Sequence, residues 1–245
     1  MPQFLSVLFI LISFWGPTAF GGVLRVNVYD LPPHIFTLNG NPQGPGITFF
    51  QDYLKIPNTE VQWVATPFAR VLWDMQNKKV DVALFLVPSA EREQYMRFSK
   101  TPLFTTSSAI IIPRNSPLMK AKSLEDFRGR TLGHSKDSFT PTDLLKHGIK
   151  IEPLSGENVI ERNIQKIQGN RLDGIFIPTA SNGEYTLRKL KVNDQYQVFV
   201  VPNTSLNLHV AFRKDIDEKT YQMVEAALKK NQRQYRKLLD QQLSK

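Results

Sequence analysis

The stretch VDVALFLVPSAEREQYMRFSKTPLF, Val80 to Phe104, changes character halfway along. Its first eight residues are mostly apolar and read as a buried strand, and the polar segment that follows sets Arg92 between Glu91 and Glu93 before Phe98-Ser99 closes the run. Arg92 stands five residues past Val87, where that strand ends. In an α/β protein, chemistry is placed in loops just beyond the carboxyl ends of strands. Two readings of the arginine are open at this point. It is a surface residue paired with Glu91 or Glu93, an interaction worth roughly 0–1 kcal/mol, or it is presented to a ligand.

Short strand-like runs alternate with helical ones on both sides of this stretch. LRVNVYD sets Leu24, Val26 and Val28 against polar neighbours, and SAIIIP, DGIFI, QVFVVP and LHVAFR follow later in the chain. In TPFARVLWDMQ, Phe68, Val71, Leu72 and Met75 fall on one helical face, with Pro67 suited to the first turn. GENVIERNIQKIQGN repeats the pattern with Ile160, Ile164 and Ile167, and Gly169 is suited to stop the helix. The last 25 or so residues, from Glu218, read as one or two helices. The alternation predicts an α/β fold with mostly parallel sheets.

With 245 residues and 41% hydrophobic content the chain can pack a core, as one large domain or two small lobes. Residues 1–21 carry no acid or base and hold an apolar run followed by small residues, which reads as a secretory signal cleaved after Gly21 and implies a periplasmic protein. The absence of cysteine excludes disulfides, thiolate metal sites, thiol nucleophiles and a lipid-modified cysteine anchor. A net charge of +9 invites a nucleic-acid reading, but the basic residues are dispersed and do not alternate with aromatics, so none is expected. His34, His134, His147 and His209 are isolated, with no metal-ligand spacing. No nucleophile elbow and no phosphate-cradling glycine loop is present, so no cofactor, metal or catalytic residue is expected.

KKVDVALFLVPSAEREQYMRFSKTPLF resembles the signature of the type 2 periplasmic solute-binding proteins of the amino-acid-binding type, family 3, in which Asp81, Arg92, Phe98 and Ser99 fit the spacing. LRVNVYDLPPHIF resembles the family's opening strand and its loop of paired prolines and an aromatic. LEDFRGRTLGHSKDS, IQGNRLDGIFI and LHVAFRKD resemble its later segments, in the same order. The resemblance implies two α/β lobes joined by a two-stranded hinge. Lobe one would comprise residues 22–104 and 208–245 and lobe two residues 105–207, with crossings near LFTTSSA and SLNLHVAF. It implies a monomer that closes over a small-molecule ligand and serves an ABC permease or a membrane receptor, with a dehydratase-like enzyme as the alternative on this fold. Arg92 would hold a ligand carboxylate, as a planar guanidinium matches a planar carboxylate.

The resemblance also implies other ligand contacts, and departs from the family in several. Tyr29 and Phe36 stand where aromatic walls are expected, or they pack beneath the loop. Val87 and Ser89 lie near the usual hydroxyl position, and Asp137-Ser138 replaces the usual glycine turn. Thr140 reads as the N-cap of a helix starting at Pro141, with amides that could face an anion. Where an acid usually holds the α-ammonium of an amino acid, the chain has Pro178 followed by Thr179. Arg70 reads as a solvated arginine, Trp63 and Trp73 as core or rim residues, and Asp81 as a structural acid.

Overall fold

The computed structural model describes residues 22–244, so the signal segment expected over residues 1–21 lies outside the described residues. Two sheets organise the chain. In the first, β1 (Val23–Val28) lies between β4 (Glu60–Ala65) and β5 (Val82–Leu86), parallel to both. The late strand β13 (Leu206–Arg213) joins β5 antiparallel, and β6 (Met96–Phe98) and β7 (Phe104–Thr106) pair along β13. A small hairpin of β2 (Phe36–Leu38) and β3 (Asn41–Gln43) stands off this sheet. The second sheet runs in the order β10 (Lys150–Leu154), β9 (Thr131–Ser135), β11 (Gly174–Ile177), β8 (Ala109–Pro113), β12 (Tyr196–Val200).

Each sheet has a parallel core of three strands, and antiparallel strands complete it. The sequence reading of mostly parallel sheets is corrected accordingly. The reason is connectivity: β13 returns to the first sheet after the chain has built the second, and runs opposite to β5.

Apolar periodicity places the elements. Val26 and Val28 are fully buried, and α2 (Phe68–Gln76) buries Val71 and Met75 while Phe68 and Leu72 pack partly against the same core. In the second lobe α4 (Val159–Gln168) buries Ile164 and Ile167. The chain ends in one long helix, α6 (Glu218–Leu243), whose Tyr221, Val224, Leu228, Tyr235 and Leu239 form a buried stripe at helical spacing. Asp217 caps it by accepting from the Thr220 amide at 2.8 Å. α6 and α1 (Pro45–Tyr53) pack together on the first sheet, whereas α3 (Thr142–Lys146), α4 and α5 (Ala180–Lys189) belong to the second.

β5 is not the uninterrupted strand that its sequence suggests. Its pairing with β13 slips between His209 and Ala211, where Leu84 and Phe85 oppose Val210, and Phe85 adopts φ 58°. This is a β-bulge with a left-handed residue, an arrangement that costs on the order of 1–3 kcal/mol for a residue bearing a side chain. It turns the end of the strand, and the Phe85 carbonyl becomes the acceptor for the Tyr29 hydroxyl at 3.0 Å.

The chain passes between the sheets twice, after β7 and after β12. The two crossings are stitched to each other: Val201 N donates to Ser108 O at 2.9 Å, Ser107 Oγ to Thr204 O at 2.9 Å, and Ser108 N to Thr204 Oγ1 at 3.2 Å.

Asp81 immediately precedes β5 and ties three strands together. It accepts from the Arg25 amide at 2.8 Å and from Arg25 Nε and Nη2 at 3.0 and 2.9 Å, and Arg213 Nε lies 3.3 Å from it. Burial pushes its carboxyl up, but the Arg25 bonds outweigh this and hold it below the ordinary carboxylate value. Asp81→Ala would strand these donors at a position only 5% exposed. The expected loss is about 2–4 kcal/mol in urea denaturation, with ligand stoichiometry retained. A loss below about 1 kcal/mol would show that the junction does not depend on this carboxylate.

Candidate functional site

The carboxyl ends of both parallel cores meet across one cleft of about 510 Å³. Lobe one contributes residues that follow β1, β4 and β5, and lobe two contributes the ends of β9 and β11, the first turn of α4 and the face of α5 that carries Asn182, Thr186 and Lys189. The volume lies within the roughly 300–1,000 Å³ range of small-molecule sites.

Arg92 occupies the lobe-one wall. It starts a 3₁₀ turn, Arg92–Gln94, and is 7% exposed while Glu91 and Glu93 on either side face solvent. The surface pairing with those glutamates is not formed. Instead Nη1 donates to the Val87 carbonyl at 2.8 Å, and Nη2 crosses the cleft to the Asp137 carbonyl at 2.9 Å. Among the described residues the guanidinium forms no ion pair. Burial lowers its pKa from the ordinary arginine value, against the fields of Tyr29, Tyr95, Glu91 and Asp137, and it stays charged in any physiological medium. The Phe68 ring lies 6.0 Å away on one side.

Aromatic side chains shape the space around the guanidinium. Tyr29 is 5% exposed and packs edge-on against Phe68 with centroids 4.9 Å apart, and burial pushes its phenol up. Phe36 lines the cleft and stacks on Tyr185 of α5 at 6.4 Å. Phe85, Phe139 and Phe176 add to the apolar lining. On the lobe-two side Asp137 takes φ 61°, in the left-handed region that glycine favours, and its carbonyl turns toward Arg92 while its side chain is exposed.

Of the residues singled out in the sequence, Arg92, Val87, Tyr29, Phe36, Ser138 and Thr179 line the cleft. Ser89 does not. Its hydroxyl accepts from the Arg92 amide at 3.3 Å, so it shapes the turn that carries the arginine. Thr140 also lies off the cleft, and the residue capping α3 is Pro141, without a side-chain bond. Thr179 is fully buried, and its Oγ1 caps α5 by accepting from Asn182 N at 3.3 Å. Arg70 pairs with Asp74 at 2.9 Å and lies over Trp73, away from the cleft. Carboxylates do line the site, but as Asp30, Glu157 and Glu161 on its exposed rim.

Of the four histidines that stand isolated in the sequence, His34 and His134 are buried with specific partners. His134 lies 3.1 Å from the Phe176 carbonyl through Nδ1, which must therefore carry the proton, and its Nε2 is buried without a partner among the described residues. His34 is fully buried between Tyr235 of α6 and Ser181 of α5, with Nε2 2.8 Å from Ser181 Oγ. The lining residues Asn182, Phe68 and Phe139 also carried no sequence signal beyond helical or loop position.

Two lobes, two stitched crossings and a cleft at facing strand ends define the type 2 periplasmic binding protein fold. The chain belongs to the bacterial extracellular solute-binding proteins, family 3, whose model matches residues 24–245. An ArgBP variant from T. maritima is similar in structure, with 21% identity, a TM-score of 0.75, and 92% of this chain and 96% of that one covered. An amino acid ABC transporter substrate-binding protein from Streptococcus pneumoniae, bound to L-arginine, has 19% identity and a TM-score of 0.74, with 91% and 95% covered. A histidine kinase sensor domain with similarity to periplasmic binding proteins has 19% identity and a TM-score of 0.75, with 90% and 95% covered. No curated protein matches the chain at a significant level.

Burial pushes His34 down to about 3 from an ordinary value of 6.5. Between those values the unfolded chain binds a proton that the folded chain refuses, so stability falls as pH falls through the window. His34 alone should remove about 1.5 kcal/mol between pH 6.5 and pH 5, measured by urea denaturation. A flat profile over this range would place the His34 titration at its ordinary value.

Proposed function

We propose that this family 3 protein is an exported, monomeric carrier that closes over a small carboxylate, of amino-acid-like size, and delivers it to a membrane transporter without chemical turnover. One observation carries the reading: a guanidinium buried in an interlobe cleft with carbonyls as its partners and no ion pair among the described residues. A planar anion is the group that such a site attracts most strongly, through paired charge-assisted bonds. The L-arginine held by the S. pneumoniae protein carries such a carboxylate.

Closure follows from where the contacts lie. The lobes would divide at the crossings after β7 and β12, and a ligand touching Arg92 on one side and the 137–139 turn on the other would favour the closed arrangement by its differential affinity for it. Ligand recognition beyond the carboxylate would differ from that of an ordinary α-amino-acid site. Pro178 and Thr179 offer no charge to an ammonium group, and the Thr179 hydroxyl already serves as a cap. A cationic group on the ligand would instead meet Asp30, Glu157 and Glu161 at the rim.

The experiment is a thermal-shift screen with amino acids, dicarboxylates, small peptides and cyclic carboxylates, followed by calorimetry of each hit and its amide analogue. Ligand at about 100 times its dissociation constant should add roughly 2.7 kcal/mol, enough to raise the melting temperature by several degrees. Arg92→Ala should cost about 2–5 kcal/mol of binding, a loss of roughly 30-fold or more. Equal binding of acid and amide by the wild type would refute the carboxylate assignment, and consumption of a compound beyond one equivalent would refute binding without turnover.

A further inference from the structure

The lobes also touch at and behind the edge of the cleft. The Leu31–Phe36 loop of lobe one meets the first turns of α5 in lobe two through three contacts: Asn182 Nδ2 donates to the Pro32 carbonyl at 2.6 Å, His34 Nε2 lies 2.8 Å from Ser181 Oγ, and Phe36 stacks on Tyr185. His34, Ser181 and Tyr185 do not line the cleft. These contacts lie on the hinge side, because Ala180 N donates to the Ser107 carbonyl at 3.1 Å and the His34 ring packs on Phe104 with centroids 4.9 Å apart.

We propose that the His34–Ser181 hydrogen bond, supported by Tyr235 from behind, is a latch that sets how much of the chain is closed independently of what occupies the cleft. The proposal rests on the two-lobe closing motion described above. His34 is anchored in lobe one: its Nδ1 bonds to the Tyr235 hydroxyl, and its ring packs among Phe85, Phe104 and Tyr235. Ser181 rides on lobe two. A hydrogen bond at 2.8 Å is lost when its partners separate by less than about 1 Å, so a small rotation about the crossings breaks it.

Protonation does not complicate the bond. A neutral imidazole has one donor and one acceptor, and both of its partners are hydroxyls that can play either part, so either tautomer is fully satisfied. In the open arrangement water can serve Nε2. In the closed arrangement Nε2 is buried with Ser181 as its partner, so removing the Ser181 hydroxyl penalises the closed state selectively. Ser181 is therefore a positioning residue for affinity: weakening the latch lowers the closed fraction, and apparent affinity falls by the same factor.

The test needs no ligand. Because the chain has no cysteine, one cysteine placed at exposed Gln51 and one at exposed Arg171 give a clean spin-label pair across the lobes. The ligand-free wild type should show a measurable short-distance population. Ser181→Ala should lower the ratio of closed to open by about five- to tenfold, and Ser181→Thr, which keeps the hydroxyl, should restore it. A wild type with no short-distance population, identical distributions for wild type and Ser181→Ala, or a shift shared by Ser181→Thr would each overturn the proposal. Failure of every compound in the binding screen would count against the carrier reading alone, since the latch is read from the distances.

Discussion

A buried cation must be compensated, because removing an ionised group from water costs several kcal/mol when nothing replaces its hydration. Arg92 meets this constraint only partly. Its two carbonyl partners come from opposite walls of the cleft, Val87 on its own strand end and Asp137 on the facing lobe. The guanidinium therefore couples the two lobes electrostatically. Its remaining donors are the ones that the proposed anion would take up, and its bond to Asp137 would make that attraction depend on the distance between the lobes.

Several features that look unrelated serve this arrangement. The bulge at Phe85 bends the end of β5 and offers the carbonyl that fixes Tyr29 beside Phe68. The Ser89 hydroxyl holds the turn that starts at Arg92. The left-handed Asp137 presents a carbonyl where an ordinary turn would present a side chain. Strain at Phe85 and Asp137 is of the kind that persists at functional sites because surrounding packing over-determines it. Asp81, by contrast, acts at the other end of β5 and holds the sheet together rather than the site.

In the proposed closure, the cleft and the hinge-side latch would divide the work. Cleft contacts can discriminate among ligands, since they lie where a ligand would sit. The proposed His34–Ser181 latch lies off the cleft lining, involves the protein alone and would bias the resting equilibrium. A carrier with some closed population binds more tightly for the same ligand contacts, because less of the binding free energy goes into moving the lobes.

Local pattern was enough for most of the elements and for an α/β class, while the two lobes were implied only by the family resemblance. The alternation in LRVNVYD, the apolar run beginning at Val80 and the helical spacing of Ile160, Ile164 and Ile167 each report burial that neighbouring residues enforce, and so they can be read within a short window. Arg92 drew notice from its place after a buried strand, but that position left surface pairing and ligand contact both open, and only the family resemblance favoured the second. Other features depend on residues far apart in sequence. Whether Arg92 pairs with Glu91 or reaches Asp137, 45 positions away, depends on how the two lobes face each other. The same holds for Thr140, which loses the cap to Pro141, and for His34, which meets Tyr235 201 positions further on. An isolated histidine in a sequence has no partners to read. Here its partners come from α6 and α5, elements brought to it only by a chain that leaves the first lobe, builds the second and returns.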